Sequence, residues 1–218
     1  MVVQNIRARA LAAGAVLALA ASPAAAGTVI EEWNAVPSPE TPKLAAPTLA
    51  ARTTALLILD IEQRTCNAER RPRCLDTVAP IAAFLLKARD AGMPVVYSTT
   101  GAGSVDTILP PVKPINSGEP VVKASVDKFL GTELEKILKD RGIDTVVACG
   151  TAAQGAVLHT ATGAAQRKFK IVLPVDCLSA EDLFTEKAAV WSLIKGPATG
   201  SLTTLTTLGA ITLKQANR

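Results

Sequence analysis

The chain has 218 residues, of which 19% are charged and 3% aromatic, and its formal net charge is +4. This length suits one domain of ordinary size preceded by a leader. The sequence contains no long run of lysine or arginine and no basic residues interleaved with aromatic ones, so we expect no nucleic-acid partner.

The first 26 residues have the layout of a secretory signal peptide. Arg7 and Arg9 precede an apolar run from residue 10 to residue 21, and the segment ends in three alanines at 24–26. This run is shorter than the roughly 20 residues that span a bilayer, so we predict cleavage near Ala26 and no membrane anchor. The sequence therefore predicts a periplasmic or secreted protein without a membrane partner.

Residues 27–52 follow as a proline-rich arm, and the predicted folded domain spans residues 53–218. The arm has little hydrophobic periodicity and contains Pro37, Pro39, Pro42 and Pro47, which is typical of an extended segment. Two interpretations remain for it, an arm that wraps around the domain and a mobile leader.

Short apolar runs alternate with longer helical patterns through the domain. The runs Ala-Leu-Leu-Ile-Leu at 55–59 and Thr-Val-Val-Ala-Cys at 145–149 indicate strands that are buried on both faces of a sheet. The predicted strands are 55–59, 94–98, 145–148, 171–175 and 201–205, and the predicted helices are 78–91, 132–141, 155–167 and 180–193. This alternation predicts an α/β protein, a three-layer α/β/α sandwich with a mostly parallel, Rossmann-like sheet.

Four cysteines, Cys66, Cys74, Cys149 and Cys177, lie in the part of the chain that would be exported. An oxidising compartment permits disulfides, and four thiols allow three sets of pairings. Cys66 and Cys74 flank a short loop, so we predict a local disulfide between them, with free thiols as the alternative. For Cys149 and Cys177, a disulfide and simple core packing both remain open.

The loop between the first two cysteines is rich in arginine, with Arg70, Arg71 and Arg73 close together. These side chains would either gate an anionic ligand or simply be solvated. A charged loop is usually just solvated, so we expect the second.

Polar and small residues follow the predicted strands at their carboxyl ends, where parallel sheets place ligands. They include Leu-Asp-Ile-Glu-Gln at 59–63, Lys123 six positions before Phe129, and a glycine-containing turn at 149–156 that enters a helix. In this order, the motifs resemble the isochorismatase-like superfamily, also called the cysteine hydrolases. The resemblance covers nearly the whole predicted domain and implies the same fold.

The resemblance implies a catalytic aspartate, a lysine and a nucleophilic cysteine, which correspond here to Asp60, Lys123 and Ala156. Lys128 is the alternative lysine because it also precedes Phe129, but the spacing favours Lys123. Alanine has no atom that attacks a carbonyl, so this chain lacks the thiol nucleophile that most members of the superfamily carry. The resemblance also implies a cis peptide bond within residues 151–153 and a homo-oligomer.

Further substrate-binding residues are expected around these three. The resemblance places Gln63, Phe129, Ala152 and Gly155 among them. His159, the only histidine, lies one helical turn after Ala156 and would reach the same pocket, with an ordinary surface position as the alternative. One histidine is too few for the metal site of some relatives, so we expect no metal and no cofactor.

Two functions fit a small-molecule pocket of this kind. The first is an exported hydrolase that cleaves a C–N or ether bond without a nucleophilic cysteine, with Asp60 as acid or base and Lys123 supplying positive charge. The second is a catalytically silent module that binds a small ligand or serves assembly on the same fold. The presence of both Asp60 and Lys123 favours the hydrolase. Burial and a neighbouring lysine act on the pKa of Asp60 in opposite directions.

Overall fold

The computed structural model of the chain describes residues 26–215. The predicted leader, residues 1–26, lies outside this part except for Ala26. Two compact units are present, the first ending at Thr41 and the second beginning at Pro42. The first contains a turn in which the N–H of Glu32 donates to the carbonyl of Thr28 at 3.1 Å. The second holds the strands and helices described below.

A parallel sheet forms the centre of the second unit. The strands of this unit are β1 (Thr48–Ala50), β2 (Thr54–Leu59), β3 (Val95–Thr99), β4 (Val121–Lys123), β5 (Thr145–Thr151), β6 (Lys170–Pro174), β7 (Leu178–Ser179), β8 (Thr203–Thr206) and β9 (Thr212–Lys214). Six of them lie in the order β4-β3-β2-β5-β6-β8, and β7 pairs with β5 as a seventh. Every pairing in the sheet is parallel.

Helices cover both faces of this sheet. They are α1 (Pro72–Asp90), α2 (Leu134–Asp140), α3 (Leu158–Gln166) and α4 (Leu183–Lys195). Successive side chains of a strand point to opposite faces. Accordingly, Leu56 and Ile58 pack in one apolar cluster with α1, while Leu57 and Leu59 pack in another with α2, α3 and α4. The predicted three-layer α/β/α fold is therefore confirmed, and within residues 26–215 no helix is long and apolar enough to cross a membrane.

The sheet order reverses between β2 and β5. From β2 the chain moves outward through β3 and β4, and then returns to place β5 on the other side of β2. In open parallel sheets, a crevice forms beyond the carboxyl ends of the two strands at such a switch point, and ligands bind there. The topology alone therefore directs attention to the residues that follow Leu59 and Thr151.

Several short elements extend the predicted set. β4 and β7 have three and two residues, which is too short for a periodic pattern to reveal. Helix α1 begins at Pro72, earlier than predicted, because proline is well tolerated at the first position of a helix.

The end of the predicted arm forms a strand of its own. There β1 pairs with β9, and the N–H of Ala45 donates to the carbonyl of Leu205 at 2.8 Å. This end of the arm therefore packs on the sheet domain.

Candidate functional site

A cavity of about 380 Å³ lies at the carboxyl edge of β2 and β5. This volume is within the range of small-molecule sites in proteins. The wall is made by Asp60 after β2, Thr65, Arg70 and Arg71 in the next loop, Thr100 and Gly101 after β3, Ser125 and Val126 after β4, and Thr151, Ala152, Gln154, Gly155 and Ala156 at the end of β5 and the turn beyond it. The crevice at the switch point is thus a real cavity.

Asp60 is the first residue after β2 and is buried, with 4% of its surface exposed. Its φ of 54° lies in the left-handed region, which is uncommon for a residue other than glycine. The hydroxyl of Ser98 in β3 donates to Asp60 Oδ1 at 2.6 Å, and the hydroxyl of Thr65 donates to its carbonyl. Gly150 lies opposite Leu59, and a Cβ there would sit 2.1 Å from the Leu59 carbonyl. The neighbouring strands therefore fix this carboxyl group in place.

Lys128, and not Lys123, is the lysine beside Asp60. Its Nζ donates to Asp60 Oδ2 at 2.8 Å and to the carbonyls of Ala124 and Ser125 at 3.0 and 2.5 Å. The side chain of Lys128 is fully buried, while Lys123 is exposed at the end of β4 and does not line the cavity. The placement predicted for Lys123 is therefore wrong. β4 ends at Lys123, and the chain then turns so that the carbonyls of 124 and 125 surround the Lys128 ammonium.

The pKa of the Asp60 carboxyl is raised above its ordinary value. Burial is the main cause, because it penalises the charged form, and the negative charge of Glu62 adds to the rise. The charge and hydrogen bond of Lys128 and the hydrogen bond of Ser98 act in the opposite direction but do not cancel it. The shift moves the pKa of Asp60 toward the range in which a general acid or base works.

Glu62 is a second buried carboxylate near the cavity, and it fixes one wall. It accepts hydrogen bonds from the N–H and hydroxyl of Thr100, at 3.0 and 2.6 Å, and from the hydroxyl of Thr107 at 2.5 Å. A Cβ on Gly103 would lie 1.9 Å from Glu62 Oε2, so this loop approaches closely only because that residue is glycine. Glu62 therefore holds the loop after β3 that carries Thr100 and Gly101.

The opposite wall is the turn from β5 into α3. The peptide bond between Thr151 and Ala152 is cis, within the stretch that the resemblance implied. Ala153–Val157 forms a π-helix that continues directly into α3, and π-helical turns are often found at functional sites. Ala156 is buried and lines the cavity together with Ala152 and Gly155. Asp60 and Ala156 therefore share one cavity.

Three residues expected to bind substrate lie away from the cavity. Phe129 is in the core, where its ring lies 6.1 Å from that of Phe169 and under the guanidinium of Arg167. Gln63 and His159 are exposed, and neither lines the cavity. His159 lies one helical turn beyond Ala156 on the solvent side of the helix, so the alternative reading, a surface histidine, is correct.

An arginine wall, formed by Arg70, Arg71 and Gln154, closes the remaining side of the cavity. Arg71 is 7% exposed, and its Nη2 lies 2.7 Å from Glu181 Oε1. The Nε2 of Gln154 donates to the other oxygen of Glu181 at 2.9 Å. Burial of Glu181 opposes these contacts, but together they lower the pKa of Glu181 below its ordinary value. The expectation that the arginines of this loop are simply solvated is therefore wrong for Arg71, which is buried. Its pairing with Glu181 was not predicted, because the two residues are distant in sequence.

All four cysteines of the chain are in disulfides. The predicted pair Cys66–Cys74 is confirmed, and the pairing left open for Cys149 and Cys177 is also a disulfide. The first bond closes the loop that carries Arg70 and Arg71, and the second joins β5 to the segment before β7. No thiol is therefore free to act as a nucleophile. Among residues 26–215, no cluster of His, Cys, Asp and Glu is arranged to hold a metal ion.

Comparisons with known proteins agree with this fold. The chain is 30% identical over 156 residues to an uncharacterized isochorismatase family protein, YecD, of Escherichia coli O157:H7, covering 61% of this chain and 82% of that protein. It is 29% identical over 175 residues to a streptothricin hydrolase of Streptomyces noursei, covering 69% of each.

A solved isochorismatase family protein of Desulfovibrio vulgaris subsp. vulgaris str. Hildenborough superposes with a TM-score of 0.65 at 24% identity, covering 73% of this chain and 96% of that one. In a comparison with protein families, the sequence model of the family described as the isochorismatase domain matches residues 54–207 of this chain. That stretch holds the whole seven-stranded sheet and the cavity at its edge, so this protein belongs to the isochorismatase family of hydrolases.

Proposed function

We propose that this protein is an exported hydrolase that cleaves a C–N or ether bond of a small molecule without a nucleophilic cysteine. The observation that carries the proposal is Asp60, a buried carboxyl group that lines the cavity and is paired with Lys128. The raised pKa of Asp60 suits a group that accepts and returns a proton during one reaction cycle. The leader motif supports export.

The Asp60 carboxylate can accept a proton in addition to its existing hydrogen bonds. Oδ1 accepts from Ser98 and Oδ2 accepts from Lys128, and each carboxylate oxygen has a further lone pair. In amide hydrolysis, the ionised carboxylate takes a proton from the attacking water, whose oxygen bonds to the carbonyl carbon, and the proton passes to the leaving nitrogen. In vinyl ether hydrolysis, the protonated carboxyl gives its proton to the vinyl carbon, and water adds to the resulting oxocarbenium carbon and returns a proton to the carboxylate. The hemiketal formed in this way then breaks its C–O bond and releases a carbonyl compound and an alcohol.

Lys128 and the first turn of the helix after β5 stabilise the negative charges that are present or develop during the reaction. The ammonium of Lys128 holds Asp60 in position and stabilises its ionised form. The first N–H groups of a helix have no partners within it, and such groups stabilise an oxyanion. Gln154 and Ala156, near the opening of the helix, line the cavity that Asp60 lines, whereas the N–H of Gly155 already donates to the carbonyl of Ala152 at 3.0 Å.

Disulfide bonding of all four cysteines supports a route without a thiol. The name of the Streptomyces noursei relative, a streptothricin hydrolase, supports hydrolysis as the type of reaction. Oligomeric assembly stays a prediction from the resemblance. A silent binding module has no observation of its own in its favour, whereas the Asp60–Lys128 pair favours chemistry.

The proposal is tested by assaying a panel of small amides and vinyl ethers with the wild type and with Asp60→Asn. Loss of the proton-transfer group should lower the rate by about 10²–10⁴-fold, while iodoacetamide should leave the wild type active. Asp90→Asn, the same change at an exposed position at the end of α1, is the matched control and should keep full activity. An Asp60→Asn enzyme as active as Asp90→Asn would overturn the proposal.

Ala156→Cys tests the position assigned to the missing nucleophile. The introduced thiol would be the only free one in the chain, so iodoacetamide should label it alone. Its place in the cavity with Asp60 predicts that labelling blocks the activity of the variant while the wild type stays insensitive. Labelling that leaves the variant fully active would show that residue 156 does not face the reacting group.

A further inference from the structure

We propose that the arginine wall is a subsite for a carboxylate or similar anionic group, so that the substrate carries this group at one end and the scissile bond at the other. The inference rests on the proposed function for the identity of the reacting end. Its own basis is the set of contacts that Arg70, Arg71 and Gln154 make at the cavity wall.

The charges around the cavity leave one cation without a partner. Asp60 is neutralised by Lys128, and Arg71 by Glu181. The side chain of Arg70 donates from Nη1 to the carbonyl of Arg64 at 3.4 Å, and it has no carboxylate of residues 26–215 within 4.0 Å. Among the same residues, Glu62 is also without a cationic partner, but it lies behind Thr100 and Thr107 and does not line the cavity, whereas Arg70 does. The positive charge without a partner therefore lies on the arginine side of the cavity, where it favours an anion.

The hydrogen-bonding capacity of Arg71 is also only partly used. A guanidinium has five N–H donors; here Nη1 donates to the carbonyl of Thr65 at 3.3 Å and Nη2 contacts Glu181. Its Nε is buried and has no hydrogen-bond partner. Buried donors without acceptors are costly and rare. Arginine forks bind carboxylates with paired hydrogen bonds, and Arg71 lines the cavity, so we expect an anionic ligand there to engage this guanidinium.

Gln154 adds a complementary acceptor to the same wall. Its Nε2 donates to Glu181, which fixes the amide orientation, and its Oε1 is buried without a partner. Both Gln154 and Arg71 contact Glu181, so the unused acceptor and the unused donor belong to one connected group. A ligand with an N–H near its carboxylate, such as an N-acyl amino acid, meets both requirements.

The loop that carries the arginines is held in place before a ligand arrives. The Cys66–Cys74 disulfide closes it. Within it, the side chain of Asn67 accepts from the N–H of Arg70 at 2.8 Å and donates to the carbonyl of Gln63 at 2.8 Å. Donors that are already positioned lose little entropy when they bind. This arrangement suits a recognition site better than a loop of solvated charges.

The subsite is tested by calorimetric titration with N-benzoylglycine and its neutral counterpart N-benzoylglycinamide. The wild type should bind the acid at least about tenfold more tightly, as expected for hydrogen bonds to a charged group. Arg71→Gln should remove this preference, and Arg70→Gln, a change at an exposed position that leaves the core intact, should reduce it. Arg64→Gln is the matched control, because Arg64 is exposed and does not line the cavity.

Equal binding of acid and amide by the wild type, including no detectable binding of either, would overturn the proposal. So would an equal loss of affinity in Arg64→Gln and Arg71→Gln, which would indicate only long-range attraction. Inorganic phosphate that displaces the acid in an Arg71-dependent way would extend the subsite to phosphate esters; failure to displace it would restrict the subsite to carboxylates.

Binding by Asp60→Asn separates this inference from the proposed function. That variant should retain the preference for the acid, because Asp60 is not part of the arginine wall. If Asp60→Asn keeps both the preference for the acid and the wild-type rate of hydrolysis, only the proposed role of Asp60 is refuted. Loss of the preference in Arg71→Gln is measured by binding, so it tests the subsite without any turnover.

Discussion

The two sides of the cavity differ in how completely their charged groups are satisfied. On one side, Asp60 and Lys128 are both buried, and each is hydrogen-bonded to fixed neighbours in adjacent strands and turns. On the other, Arg70 is exposed, Arg71 has an unpartnered Nε, and Glu181 is partly open to solvent, with 43% of its side chain exposed. In the folded protein, the charged groups of the first side have partners within the protein, whereas the second side keeps hydrogen-bonding groups without one.

This difference separates two tasks that one cavity must perform. A group that transfers a proton needs a fixed position and a tuned pKa, which the buried pair provides. A group that recognises a ligand needs donors that are not already used within the protein. The comparison therefore assigns chemistry to the Asp60 side and recognition to the arginine wall.

Removal of Lys128 should break the first side with the largest effect. Lys128→Met leaves Asp60 buried without its cation, and breaking a buried pair typically costs about 3–5 kcal/mol of unfolding free energy. The pKa of Asp60 should rise further, because Lys128 lowers it. Urea denaturation measures the stability, and the exposed Lys123→Met should change it by less than about 0.5 kcal/mol. An equal loss of unfolding free energy in both variants would show that Lys123 contributes as much as Lys128, which would contradict the pairing of Asp60 with Lys128.

The two disulfides should separate stability from recognition. Chain-entropy estimates give about 3.5 kcal/mol for the Cys149–Cys177 bond and about 2.5 kcal/mol for the shorter Cys66–Cys74 loop. Cys149→Ala/Cys177→Ala should therefore unfold at lower urea concentration. Only Cys66→Ala/Cys74→Ala, which frees the loop of Arg70 and Arg71, should weaken the binding of N-benzoylglycine. Equal weakening by both pairs would mean that the loop has no special part in recognition.

Ser98→Ala should change only the tuning of Asp60, with the smallest effect on stability, roughly 1.5 kcal/mol for a hydrogen bond to a charged group. The Ser98 hydroxyl lowers the pKa of Asp60, so its loss should raise that pKa further. Titration of ¹³C-labelled aspartate by NMR measures the shift. If the ionised form abstracts a proton from water, the rise of amide hydrolysis with pH should also move to higher pH. An unchanged titration would show that Ser98 does not act on Asp60.

The fold and one half of the site follow from the sequence, and particular residues show why the rest does not. The strands are local features, because their apolar runs reveal them. The position of Asp60 is also local, because it directly follows the end of a predicted strand. The choice between Lys123 and Lys128 depends on how the chain turns after β4, which spacing does not show. Arg71, Gln154 and Glu181 meet only because β5 and the segment before α4 fold against the 66–74 loop.

Steady-state kinetics of Asp60→Asn and Arg71→Gln, on the best substrate from the panel, test most directly whether one side reacts and the other binds. Asp60→Asn should lower kcat by about 10²–10⁴-fold and leave KM near that of the wild type. Arg71→Gln should raise KM about tenfold, as expected for a lost hydrogen bond to a charged group, with a much smaller effect on kcat. An Asp60→Asn enzyme that keeps the wild-type kcat and changes only in KM would contradict the account.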